Sequence, residues 1–267
     1  MSQGPPPRIF DAKALTMHRA RAARRGGDGF LAAEAAEGLA ARLAGVVRPF
    51  ERRMKLVLDQ DECVAGAPDS LDLLTSVLTL HAVNDLPGVL LQARRLLKPD
   101  GLFLAALFGG ETLTELRQSL AAAEIETLGG ISPRVAPFAD VRDLGGLLQR
   151  AGFALPVADV ERTVVRYSDL FSLVRDLRAM GETNALTERS RKPVTRATLA
   201  ATMAQYAQRF ADSDGRLRAT FDIVYLTGWA PHESQQQPLK PGSARSRLAD
   251  ALGTKERSTG EKTFRRS

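Results

Sequence analysis

Apolar positions along this chain follow two alternating patterns. Residues 71–80 (LDLLTSVLTL), 102–107 (LFLAAL) and 219–229 (ATFDIVYLTGW) are short and nearly continuous, as strands buried on both faces are. Residues 157–167 alternate enough for a further strand, and 54–58 (MKLVL) form a short apolar run. Between them lie stretches with helical spacing, at 30–44, 111–127, 140–151, 169–180 and 195–210. The punctuation agrees. Pro68-Asp69-Ser70 turns into the first long strand, and Asn84 or Asp85 caps a helix that runs to about Leu97. Lys98-Pro99-Asp100-Gly101 turns into the next strand, which ends at Gly109-Gly110, read as a tight turn. Strands alternating with helices predict an α/β fold with parallel strands, and the helical stretch 111–210 predicts a cap or insertion beside the sheet.

The 267 residues suit one domain with appendages. The expected layout is a basic N-terminal arm over 1–29, an α/β domain over 30–240 and a basic, disordered tail over 241–267, with a short helix near 246–251. The net charge of +6 suggests nucleic acid at first sight. Its distribution does not. Residues 1–29 carry six Lys/Arg against two Asp/Glu, residues 240–267 carry eight against three, and the body between them is net acidic. Basic ends touch acidic partners or membranes weakly, and they make no nucleic-acid groove. No run approaches the ~20 apolar residues that span a bilayer. The Arg-rich stretch 11–25 reads as a helix or as a transit peptide, and its poverty in serine favours the helix. One cysteine, Cys63, implies a reducing compartment and an inert thiol. Three histidines without a Cys/His cluster imply no metal site.

An ordered set of motifs carries a resemblance. Ile9-Phe10-Asp11 opens it. Leu80-His81-Ala82-Val83-Asn84-Asp85-Leu86-Pro87 is similar to a family signature LHWVNDLP, with Ala82 in place of tryptophan. Gly109-Gly110-Glu111-Thr112-Leu113, Gly130-Ile131-Ser132-Pro133, Met180-Gly181-Glu182-Thr183-Asn184 and Gly228-Trp229 with His232-Glu233-Ser234-Gln235 follow in order. From about residue 70 to 245 the chain resembles the methyltransferase-like assembly factors of respiratory complex I, in the class I methyltransferase superfamily. The resemblance implies a Rossmann-like sheet, S-adenosylmethionine as cofactor, and a protein side chain, arginine, as substrate. It implies a complex I subunit as partner. It places the chain in the bacterial cytoplasm, at the periphery of the inner membrane, or in the mitochondrial matrix of a eukaryote.

One part of the family pattern is missing. A class I methyltransferase begins with a strand, a glycine-rich turn, a helix and a second strand ending in an acid. The glycines admit the cofactor and the acid holds its ribose, by the logic of dinucleotide sites. Each βαβ unit takes about 30 residues or more, yet residues 46–70 are all that separate the helix at 30–44 from the strand at 71, with Gly66 their only glycine. The sheet is expected to be truncated in its N-terminal half, with MKLVLD similar to the family's third strand. Arg25-Gly26-Gly27-Asp28-Gly29-Phe30 is glycine-rich but follows no strand, and is read as a linker.

The candidate site residues fall in two groups. His81, Asn84 and Asp85 lie just past the carboxyl end of a predicted strand, where open α/β sheets place ligands. They are the catalytic candidates, His81 as base or substrate contact. The structural alternative makes His81 a hydrogen-bonded edge residue and Asn84 and Asp85 helix caps. Asp59, Asp61 and Glu62 either face the adenine of the cofactor or form a solvated turn. Two functions remain open: a methyltransferase-family enzyme impaired in cofactor binding, or a non-catalytic protein that docks a complex I subunit.

Overall fold

A computed structural model of the chain describes residues 8–26, 29–236 and 253–255. Residues 1–232 form one compact unit and 233–267 a second. Most of the second unit, with the expected basic tail and the short helix near 246–251, lies outside the described residues.

The elements follow the hydrophobic pattern closely. They run α1 (Ala12–Arg24), α2 (Phe30–Ala44), β1 (Arg53–Lys55), β2 (Leu71–Val77), a 3₁₀ turn (Leu80–Ala82), α3 (Leu86–Leu96), β3 (Leu97–Gly109), α4 (Thr114–Leu128), α5 (Val141–Arg150), β4 (Ala154–Tyr167), α6 (Leu170–Met180), α7 (Arg196–Phe210) and β5 (Leu217–Trp229). Short-range chemistry sets several of the boundaries. Asp11, Asp85, Asp140, Asp169 and Thr195 each cap a helix by accepting a backbone N–H two or three residues on. The expected Lys98-Pro99-Asp100-Gly101 turn survives as a bulge inside β3. Asp100 adopts φ +63°, and the pairing with β2 jumps from Leu71–Leu97 to Leu73–Leu102.

The five strands lie in the order β1-β2-β3-β5-β4. The first three are parallel, and β5 runs antiparallel to both β3 and β4. In a doubly wound sheet of order 3-2-1-4-5-6, two strands separate the third from the fourth. Here β1, which carries the segment similar to a third strand, is hydrogen-bonded directly to β2. The truncation expected from the short interval 46–70 is therefore a truncation of the sheet itself.

Side chains of β3 alternate between two cores. Leu102, Leu104, Ala106 and Phe108 join α2, α4, α6 and α7 on one face. Phe103, Ala105 and Leu107 join α3 and α5 on the other. Both faces are covered, so the strand reads as one apolar run. The stretch 111–210, expected as a helical cap or insertion, supplies four helices. Helices α4, α6 and α7 cover one face, α5 covers the other, and β4 belongs to the sheet. The described part of the basic arm packs on the body. Phe10 bridges to Leu186, Asp11 N–H donates to the Ala185 carbonyl, and Phe10, Ala82 and Leu186 form a small third core.

Helix α2 docks on β5 through a glycine. A Cβ on Gly38 would sit 2.2 Å from the Tyr225 hydroxyl, and Tyr225 is fully buried. One turn on, Arg42 lies 3.5 Å over the same ring and pairs with Asp159 and Glu161 on β4. Helix propensity alone makes Gly→Ala stabilising by about 0.8–1 kcal/mol. At Gly38 the steric conflict outweighs it. Gly38→Ala is expected to lower stability by roughly 1–3 kcal/mol, read as a fall in the thermal midpoint.

Candidate functional site

The parallel pairing of Val77 with Ala106 brings the carboxyl ends of β2 and β3 side by side. Beyond β2 the chain turns at Leu78, φ +43°, into the 3₁₀ turn that carries His81. Beyond β3 it turns at Gly110, φ +48°, whose N–H donates to the carbonyl of Ala139. That bond brings the segment with Phe138 over the strand ends. The loop after α6 closes the other side. These walls enclose a cavity of about 220 Å³, lined by His81, Phe108, Phe138 and Glu182 with Phe10 and Arg134.

His81 is the polar centre of this cavity. Its side chain is 3% exposed, and its Nε2 lies 3.0 Å from Oε2 of Glu182. Its Nδ1 is buried and has no hydrogen-bond partner within the protein. The ring lies 5.0 Å from that of Phe108 and 6.2 Å from that of Phe138. Burial pushes the Glu182 carboxyl up, but the charge and hydrogen bond of His81, with Arg19 and His18 behind, hold it below the ordinary carboxylate range. A second carboxylate braces the wall. Glu124 is 1% exposed and accepts from the Ser132 backbone at 2.6 Å, the Ser132 hydroxyl at 2.7 Å and Arg134 at 2.7 Å.

The structure separates the sequence candidates. His81 lines the cavity. Asn84 and Asp85 do not; they tie the neighbouring loops. Glu62 accepts from the Asn84 backbone at 2.7 Å, the Asn84 side chain at 2.9 Å and the Asp85 backbone at 2.8 Å. Asn84 Oδ1 accepts from the Phe10 N–H at 2.8 Å, and Asp85 caps α3 through Gly88 at 2.9 Å. Asp59 accepts from its own loop, from Asp61 N at 2.9 Å and Cys63 N at 2.7 Å. Asp61 is exposed. Two residues that sequence reasoning left without a role are central. Glu182 sits in the Met180-to-Asn184 motif, which is the signal that marks it. Glu124 lies mid-helix with no local signal at all.

The cofactor implied by the resemblance does not fit these residues. The glycine-rich turn of a class I fold follows its first strand, and between α2 and β2 the chain offers only Gly45 and Gly66, neither directly after a strand. The carboxylates of Asp59 and Glu62 that border a neighbouring space of about 300 Å³ already accept backbone N–H groups. Arg19 stands at the same space and repels a sulfonium cation. Among the described residues no group of three or more His, Cys, Asp or Glu is arranged to hold a metal ion, and no helix is long and apolar enough to cross a membrane.

A family model described as a methyltransferase domain matches residues 29–105. The chain is 47% identical over 201 residues to a protein of Dictyostelium discoideum named arginine-hydroxylase NDUFAF5, mitochondrial, covering 74% of this chain and 46% of that one. It is 45% identical over 188 residues to the human protein of the same name, covering 70% of this chain and 54% of that one. It is also 38% identical over 195 residues to a malonyl-[acyl-carrier protein] O-methyltransferase of Laribacter hongkongensis, covering 73% of this chain and 63% of that one. The chain thus spans about half the length of the arginine-hydroxylases it matches.

Proposed function

We propose that this chain, which is similar to the NDUFAF5 arginine-hydroxylases of the methyltransferase-like family, acts on a protein side chain and receives an arginine in the His81–Glu182 cavity. The observation that carries this reading is the Glu182 carboxylate, held ionised at the wall of a cavity lined by Phe10, Phe108 and Phe138. A guanidinium satisfies both demands of such a site. It donates charge-assisted hydrogen bonds to a carboxylate and lies favourably over aromatic faces. Of the two arginines that line the cavity, Arg134 is already matched by Glu124 and does not compete for Glu182, which leaves Arg178 as the cation that an incoming guanidinium faces.

In this reading Glu182 binds and orients the cation, and His81 holds Glu182 in place through Nε2. The buried Nδ1 of His81 is left to meet a polar atom of the bound group. The three phenyl rings exclude water. The partner is a protein of respiratory complex I, and the compartment is the bacterial cytoplasm or the mitochondrial matrix, both by kinship with the assembly factors. The poor match to S-adenosylmethionine favours a second role on the same surface, that of holding the partner during assembly without modifying it.

The test is calorimetry with a peptide carrying one central arginine and with the same peptide carrying citrulline. The arginine peptide is expected to bind at least tenfold more tightly, and Glu182→Gln to abolish the difference, since charge-assisted bonds contribute roughly 1.5–3 kcal/mol. Equal binding of the two peptides would remove the basis of this reading.

A further inference from the structure

Behind the wall that carries Arg178 lies a second and larger cavity of about 750 Å³, between α4, α6 and α7. Its size falls within the range of small-molecule sites, roughly 300–1,000 Å³. Its interior is apolar, with Leu120 from α4, Leu170 from α6 and Leu199 from α7. Three arginines stand at it: Arg25 just past α1, and Arg175 and Arg178 on α6. Among the described residues no acidic one lines it.

Several arginines elsewhere in the fold are held by carboxylates. Arg42, Arg48, Arg134, Arg162, Arg166 and Arg189 each reach a carboxylate. Among the described residues no carboxylate pairs with Arg25, Arg175 or Arg178. Arg175 and Arg178 are three residues apart on one helix, so they share a face. Like charges gathered at an apolar cavity repel one another, and an anion placed among them relieves that repulsion. Phe171, 51% exposed, and Val194, 42% exposed, keep apolar surface open at the mouth.

We propose that this second cavity binds an amphipathic anion, an acyl chain ending in a carboxylate or a phosphate. The chain lies among α4, α6 and α7. The head meets Arg25, Arg175 and Arg178, whose planar guanidinium groups match the oxygens of either anion. Arg25 and Arg175 border this cavity and not the one that holds His81, so the proposal stands apart from the reading of the arginine site.

Calorimetry on the full chain with laurate, dodecyl phosphate and dodecanol, each below its micellar concentration, decides the matter. One site is expected, with at least one of the two anions bound tenfold or more tightly than the alcohol, and the tighter anion identifies the head group. The double variant Arg25→Glu, Arg175→Glu is expected to weaken anion binding tenfold or more and to leave dodecanol unchanged. Leu120→Trp, which fills the interior without altering charge, is expected to weaken all three. Circular dichroism confirms that both variants fold. The proposal is overturned by equal affinity for dodecanol and the anions, by anion binding indifferent to the charge reversal, or by adsorption to phosphatidylglycerol vesicles without binding of the monomeric amphiphiles.

Discussion

Titration of this chain with S-adenosylmethionine or S-adenosylhomocysteine is expected to show no binding in the low-micromolar range. A class I fold grips the cofactor at a glycine-rich turn, at an acid that takes the ribose hydroxyls, and at a polar turn beside the adenine. The first two belong to the strands missing between β1 and β2. The third has its candidates in Asp59 to Glu62, but Asp59 already binds Asp61 and Cys63, and Glu62 already binds Asn84 and Asp85. Two charge-assisted bonds lost at the ribose remove about 3–6 kcal/mol, or two to four decades of affinity, which takes a micromolar site toward millimolar. Calorimetry measures this directly. A low-micromolar dissociation constant would sink the idea, and would direct attention to the Arg25-to-Phe30 segment as a replacement for the missing turn.

Glu124→Ala is expected to be among the most destabilising single changes in the chain. The carboxylate is buried, and its removal leaves the Ser132 N–H unpaired and Arg134, itself only 16% exposed, without its counter-charge. Breaking a buried pair from one side costs about 3–5 kcal/mol. For a domain of this size that corresponds to a fall of roughly 6–20 °C in the melting midpoint. The effect depends on pH in a definite sense. Burial raises the pKa of Glu124, but its bonds to Ser132 and Arg134 outweigh burial and hold it below the ordinary value. A carboxyl depressed by folding contributes stability above its unfolded pKa, about 4.3, and loses it as the pH falls through the folded value. The difference in midpoint between wild type and variant should therefore be full at pH 7 and shrink below pH 4. A difference unchanged at pH 3 would show that packing, not charge, accounts for the loss.

What the sequence showed of this fold follows the range of the forces involved. The helix cap at Asp85 was legible because it meets Gly88 within three residues. The continuous run in β3 was legible because both faces of that strand are buried. The direction of β5 was not, since a strand carries no local mark of its orientation; the path through α6 and α7 sets it. The site divides in the same way. The His81 turn follows from its place after a strand, but its partner Glu182 lies 101 residues on, and only the fold brings them to 3.0 Å. Asn84 and Asp85 belong to the same motif as His81, yet they bond to Glu62 and to α3 and do not line the cavity that His81 lines.

The outer border of β4 has a bearing on how copies of this chain behave in a crowded solution. β4 ends the sheet, and Leu155, Val157, Val160 and Val164 on it are each about half exposed. A long apolar border with unpaired backbone groups is a template on which other chains add strands and aggregate. Two features blunt it. Leu155 takes φ +48°, and the register with β5 breaks between Ala154 and Val157, so the border starts with a bulge instead of a flat ladder. Further along, Arg162 is fixed to Asp222, and Arg166 to Asp212 and Asp214, which holds cationic side chains on the strand between and beyond the valines. An incoming strand would have to displace or desolvate those charges. The ion pairs that tie β4 to its own molecule thereby also keep separate molecules from joining sheet to sheet.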